Sequence, residues 1–326
     1  MRKLYIFFIA FWVSFMTIYS IYYYKVKNKL DQSVVAMAKD LPHTVFGFEA
    51  VNDSDKNMIF TEGLTQVIPS SSKGYDSLVS PVPDADFVSF NGTYTKQHLE
   101  KFYEGLVTKF QNHPPLEFKN LKDSAKLLLS YFFENVRLPD GFRVSASPVD
   151  FHGKKVRALQ YHHQYTSDTG YVSFYKNDQD QEYVLKVKIN DGKEELIMSS
   201  CQGCGSWQIA KAKSDSLIKS TPRYYITNKE SVLVPELDFN IAKDLDKNAI
   251  PTNPDYSGYS LTEERIKFKI SPPKEGGPIE ANKAYNTPGN FVMKGNVLVY
   301  IREIDKKTPY CLIYIKHPEI LKPAAK

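Results

Sequence analysis

Three extended runs follow one another almost without interruption: YVSFYK from Tyr171, QEYVLKVKI from Gln181 and EELIMSS from Glu194. Only Asn177-Asp178 with its short continuation, and Asn190-Asp191-Gly192, lie between them. Asn, Asp and Gly accept the positive φ that a tight hairpin demands, so this part of the chain is set up as an antiparallel meander. Further strand-length runs stand at 125–133, 142–161 (two extended segments about His152-Gly153), 223–227, 231–239, 265–270, 297–303 and 309–315. With 22 Tyr and 20 Phe beside 19 Pro and 16 Gly in 326 residues, composition also favours strands and irregular connections over a helical bundle. The expected fold class is α+β, built on large antiparallel or mixed sheets.

Helical periodicity is concentrated in the N-terminal third. Between 95 and 111, Leu99, Phe102, Tyr103, Leu106, Val107 and Phe110 recur at three- and four-residue spacing, and the run stops ahead of Pro114-Pro115. Residues 69–86, rich in Ser, Pro and Asp, read as a loop. At the front, Leu4 to Tyr24 carry no charge over twenty-one residues, a length that matches the hydrocarbon core of a bilayer. Arg2 and Lys3 precede this run, and the nearest small-x-small site is as far away as Ala36-Met37-Ala38, so it is read as an uncleaved anchor rather than a removed signal. The expectation is a domain held outside the cytoplasm by this segment, or secreted if the segment is cut.

The chemistry-bearing motifs are few. A net charge of +5, dispersed along the chain, argues against nucleic acid as a partner. There is no G-x-S-x-G, no H-E-x-x-H and no P-loop, and the seven His are not arranged beside a nucleophile, so no enzymatic activity and no cofactor is indicated. Glu194-Glu195 and Glu263-Glu264 are adjacent carboxylates in hairpin or loop settings with Lys neighbours, which reads as a solvated face. Cys201-Gln-Gly-Cys204 is the compact reactive motif. It can be a small structural disulfide in an exported domain, a redox pair, half of a zinc site, or a pair of free thiols. Zinc would need two further ligands that Cys311 and the adjacent His162-His163 do not supply at local spacing, so no metal is assigned.

The order of segments from 231 to 318 resembles the C-terminal third of the serpins, the family of serine and cysteine protease inhibitors. SVLVPELDFNIAKDL (231–245) is similar to the family's stretch in which a hydrophobic strand with an internal proline leads to a helix, and NPDYSGYS (253–260) to its acidic-aromatic-Ser-Gly element. ERIKFKISPPKEGGPIEA (264–281) looks like the strand that runs into the reactive-loop hinge. FVMKGNVLVYIRE (291–303) and DKKTPYCLIYIKHPEI (305–320) look like the closing pair of strands. Upstream, DKNMIFTEGLTQVIPSSSKG (55–74) resembles the opening motif, and AKLLLSYFFENVRLPDGF (125–142) the central strand with its aromatic pair.

The resemblance implies a serpin-like domain over 42–320, after an anchor or signal (1–24) and a stalk or first helix (25–41), with a short tail at 321–326. It implies a reactive-loop hinge at Glu275, Gly276, Gly277, Pro278 and Ala281, with Lys283 and Tyr285 as loop contacts, and a protease or another envelope protein as partner. Inhibitory members trap a protease when their cleaved loop inserts as a new strand into the main sheet. Here Gly277 stands where the family prefers Thr or Ser, and Pro278 and Pro288 lack the donor that a central strand needs. The implied role is therefore a non-trapping one, a binding scaffold or a simple blocking inhibitor. The alternatives are an envelope thiol-disulfide protein using Cys201 and Cys204, or a structural membrane-anchored binding protein.

Overall fold

The computed structural model describes residues 36–37, 41–46, 55–61, 87–93, 104, 126–162, 170–177, 181–244, 259–273 and 290–324. Their strands form three main sheets. One has the order β1 (Ala36–Met37), β14 (Asp238–Asp244), β15 (Tyr259–Ser271), β5 (Lys126–Arg137), β4 (Phe87–Thr93). Its middle pair, β15 and β5, is parallel, while β14 and β4 flank that pair in antiparallel register. Ala36–Met37, from the stretch read as a stalk or first helix, add a parallel edge on β14.

The second sheet runs β10 (Val172–Asn177), β11 (Glu182–Ile189), β12 (Glu194–Cys201), β17 (Asn296–Glu303), β18 (Cys311–Ile315), β3 (Asn57–Thr61), β2 (Thr44–Phe46). The meander is its first half. Asn190, Asp191 and Gly192 take φ of 49°, 55° and 79° in a one-turn 3-10 link, the left-handed backbone their side chains tolerate. The third sheet is β16 (Asn290–Val292), β13 (Ser231–Pro235), β9 (Ala158–Tyr161), β6 (Phe142–Val144). A separate hairpin, β7 (Val149–Phe151) and β8 (Lys154–Val156), turns at His152-Gly153, where both residues again have positive φ.

Alternation places one face of each sheet on a shared core. Phe132, Val136, Ile266, Phe268 and Ile270 come from the first sheet, Leu196, Met198, Val299 and Ile313 from the second, and Phe142, Leu159 and Leu233 from the third. The other face of the second sheet builds a smaller core with helix α1 (Trp207–Ser220), from Val184, Ile197, Leu298, Tyr300, Leu312 and Tyr314. The C-terminal segment ties the sheets together. Lys322 donates its backbone N–H to the Glu236 carbonyl and accepts from Arg157, and its ammonium reaches Glu236 and Asp238 at 3.1 and 3.0 Å.

Several expectations change. Residues 223–227 are not a strand; Tyr224 alone bridges to Phe174. The run 231–239 is split at Pro235, because β13 and β14 join different sheets, and residues 238–244 form a strand rather than the expected helix. Proline at the end of β13 removes a ladder donor where the chain must change sheets. Glu194 and Glu195 are no solvated face: they are 8% and 4% exposed. Glu195 accepts from Lys186 (2.9 Å) and from the Arg302 guanidinium (3.1 and 3.2 Å), and Glu194 from the Tyr310 hydroxyl (2.9 Å) and Asn190 (2.6 Å). Glu263 and Glu264 lie on β15, not in a loop. The periodic run 95–111 and the apolar run 4–24 lie outside the described residues; no helix among the described residues is long and apolar enough to cross a membrane.

Candidate functional site

β15 and β5 pair from Leu261↔Leu127 to Ser271↔Arg137, with one irregularity between Tyr259 and Leu261. Sequence alternation explains why the pair is held from one side: Ile266, Phe268 and Ile270 face Phe132 and Val136 in the core, with Phe239 stacked on Phe268 at 5.8 Å. Polar contacts finish the upper end. The Leu138 N–H donates to the Ser271 carbonyl at 2.9 Å, and the Ser271 hydroxyl to Asn135 Oδ1 at 3.2 Å. Behind the pair, the buried Arg265 donates through Nε to Asn240 Oδ1 at 3.0 Å, and its guanidinium lies 5.8 Å from the Phe133 ring centre. A parallel pair has slanted bonds and is slightly less stable per residue than an antiparallel one, so residue for residue this seam is held less firmly than the antiparallel ladders on either side of it.

From the C-terminal end of β15 the described chain continues to Pro273 and resumes at Asn290. The expected hinge and loop residues Glu275, Gly276, Gly277, Pro278, Ala281, Lys283 and Tyr285 all fall between these points, outside the described residues. Their two attachment points are described. A chain that leaves β15 at Ser271 and doubles back runs antiparallel to β15, and hence also to its parallel neighbour β5.

The return point is pinned. Gln160 Nε2 donates to the Ser231 hydroxyl at 3.1 Å, which donates to Asn290 Oδ1 at 2.6 Å, and the Met293 N–H donates to the Leu233 carbonyl at 2.9 Å. Phe291 packs into an aromatic group with Phe174, Tyr183 and Tyr224 at centroid distances of 4.9, 5.5 and 5.7 Å. The Lys176 ammonium sits 4.1 Å from the Tyr224 ring centre and 5.3 Å from that of Phe291. Sequence reading passed over Gln160, Ser231 and Asn290. The available signal was a polar residue set within or just ahead of a short apolar run, since a buried amide or hydroxyl there must find a partner.

Cys201 and Cys204 are joined by a disulfide, each 2% exposed. Cys201 is the last residue of β12, and Ser206 caps α1 by accepting from the Ile209 N–H. The helix is hard to see in the sequence because Gly203 and Gly205 surround the cysteine motif with turn-forming residues just before it starts. Its signal was Trp207, Ala210, Ser214 and Leu217 at helical spacing behind a Ser cap. Opposite the helix, burial and then the charge of Asp215, which accepts from the phenol at 2.7 Å, push the Tyr300 hydroxyl far above its ordinary pKa.

No protein-family model matches the chain, and no curated protein does. Solved structures do. The chain is similar to mouse protein-Z dependent protease inhibitor (13% identity, 77% of each chain covered, TM-score 0.44). It is also similar to uncleaved ovalbumin (11% identity, 78% of each chain, TM-score 0.47). A third is Serpin-12 of Manduca sexta, a serine protease inhibitor, at 10% identity over 72% of this chain and 69% of that one, with a TM-score of 0.47.

Proposed function

We propose that this chain is a divergent serpin-like protein that works outside the cytoplasm as a binding scaffold or a simple blocking inhibitor of a protease, not as a trap. One observation carries the serpin-like reading. The strand resembling the hinge strand, β15, lies parallel and adjacent to the strand resembling the central one, β5, and the loop-like segment leaves from the end of that seam. That is the topology in which a doubled-back segment could enter between two strands.

The non-trapping part rests on what would have to enter. Filling the twelve paired positions of the seam takes about 40 Å of strand at ~3.3 Å per residue. Cleavage near Lys283 would free only Lys274 to Lys283, roughly 33 Å on the same scale, with Pro278 in its middle. The other end is tied into β16 through Asn290 and Phe291. An extracytoplasmic setting is supported by the Cys201–Cys204 disulfide, which persists in oxidising compartments, and by the apolar run 4–24. Use of that disulfide in exchange catalysis would require an accessible sulfur, and both are buried.

The test is thermal unfolding of the full chain before and after limited proteolysis between 277 and 290, with a denaturing gel after incubation with trypsin-like proteases. The expected result is no covalent complex and an unchanged Tm. A rise above about 10 °C after nicking, equivalent to several kcal/mol at this size, would mean that the loop inserts and would overturn the non-trapping reading.

A further inference from the structure

We propose that the Cys201–Cys204 disulfide is a redox latch on helix α1: its reduction by a dithiol loosens the helix from the second sheet while leaving the sheet itself intact. The proposal is independent of the loop and of the serpin-like reading.

The latch is assembled from three elements. Cys201 ends β12, where it pairs with Asn296 of β17. Cys204 is held from the sheet side, its carbonyl accepting from the Tyr314 hydroxyl at 2.6 Å and from Asn296 Nδ2 at 2.9 Å. The helix begins three residues later and lies over the disulfide, burying Trp207, Ala210 and Ser214 against the same small core that holds both sulfurs. Glu182, at the start of β11, connects the two. Its Oε1 accepts from the Lys213 ammonium of α1 at 2.6 Å and lies 3.8 Å from Cys201 Sγ.

As a disulfide sulfur, Cys201 Sγ has no proton for that oxygen. Reduction changes this. A small dithiol transfers two electrons and two protons: the S–S bond breaks, each Sγ gains a proton, and the reductant closes to its own disulfide. The two sulfurs can no longer stay at bonding distance. On the helix side of Cys201 there is a small cavity, with space for about one water, lined by Ser199, Ser200, Ala210, Lys213, Ser214 and Leu217. It is where the freed thiol can turn, and Ser199 Oγ, 3% exposed, reaches no partner in it. The new S–H then points to the oxygen that holds Lys213 and competes with the ammonium for it. The oxidised form leaves Glu182 to the helix, and the reduced form divides it. Because both sulfurs are buried, the dithiol gains access only through a local opening, of α1 or of the exposed Gln202-Gly203 turn that closes the disulfide ring, which is why exchange across the helix rather than the reduction rate is the readout.

Hydrogen exchange of the oxidised and reduced full chain tests this, with reduction verified by alkylation of two additional thiols. The expected result is about tenfold faster exchange across Trp207–Ser220 with β17 and β18 unchanged. Glu182→Gln should speed α1 exchange in the oxidised protein and abolish most of the further effect of reduction, a coupling that a passive staple would not show. Unchanged α1 exchange after complete reduction, equal loss of protection in β17 and β18, or additive effects of reduction and Glu182→Gln would each overturn the latch.

Discussion

The second sheet and the first are built from similar residues but joined differently. From β10 to β3 the second sheet is antiparallel throughout, and all eight residues of β12 and all five of β18 are buried. Its neighbours β10, β11 and β12 are consecutive in the chain, as are β17 and β18. The first sheet is centred on a parallel pair whose strands lie more than a hundred residues apart in sequence, and its ladder is irregular at Tyr259. Local hairpins close with little loop entropy and carry buried faces on both sides. The parallel join brings together strands distant in the chain, and β15 ends beside residues 274–289, which lie outside the described residues. The second sheet has distant joins too, β12 with β17 and β18 with β3, but those are antiparallel, so the two sheets differ in the direction of their central join rather than in how far apart its strands lie in the chain.

The largest effect should come from truncating the core beneath the parallel join. Phe268→Ala removes a ring that is 0% exposed and is expected to cost about 3–5 kcal/mol by denaturant unfolding. Exchange protection should fail in β5 and β15 before it fails in β12 and β17. Equal loss in both sheets would break the comparison.

Asn57→Ala probes the other sheet at the end of β3. The Asn57 side chain is fully buried, its Oδ1 accepts the backbone N–H groups of Lys316 and His317, both at 2.7 Å, and its Nδ2 donates to Thr44 Oγ1 at 3.1 Å. Thr44 in turn donates to Glu319. Two orphaned donors and a released hydroxyl should cost about 2–4 kcal/mol in the same measurement and free the C-terminal segment first. A loss below about 1 kcal/mol would show that this clamp is replaceable by water.

The smallest effect concerns pH. Burial lowers the pKa of His162, the residue just after β9, from its ordinary value of 6.5. The unfolded chain then binds the proton more tightly, so stability is full above pH 6.5 and falls as pH drops from 6.5 through the folded value. His162→Gln should remove this slope from the pH dependence of Tm between about pH 5 and 7. A slope that persists unchanged would assign it to another group.

How much of this was legible depended on distance along the chain. Asn190-Asp191-Gly192 and His152-Gly153 announced their hairpins because the turn chemistry is local. β17 and β18 were legible for a similar reason, as adjacent apolar runs joined by a charged turn. Glu194 and Glu195 misled, since Arg302 and Tyr310, which complete their partners, lie more than a hundred residues away, and the nearer Lys186 and Asn190 look in the sequence like ordinary surface neighbours. Pro235 marked the place where a strand ends, but not that the chain crosses there into another sheet.

The sequence by itself determined the strand-rich class, the positions of the tight turns and the presence of a close cysteine pair, because backbone preference and apolar alternation act over a few residues. Tertiary structure alone decided that β15 lies parallel to β5, that the disulfide sits beneath α1 next to Glu182, and that Gln160, Ser231 and Asn290 pin the return strand. Those arrangements depend on which distant surfaces bury one another, and burial is a property of the assembled core rather than of any window of the chain.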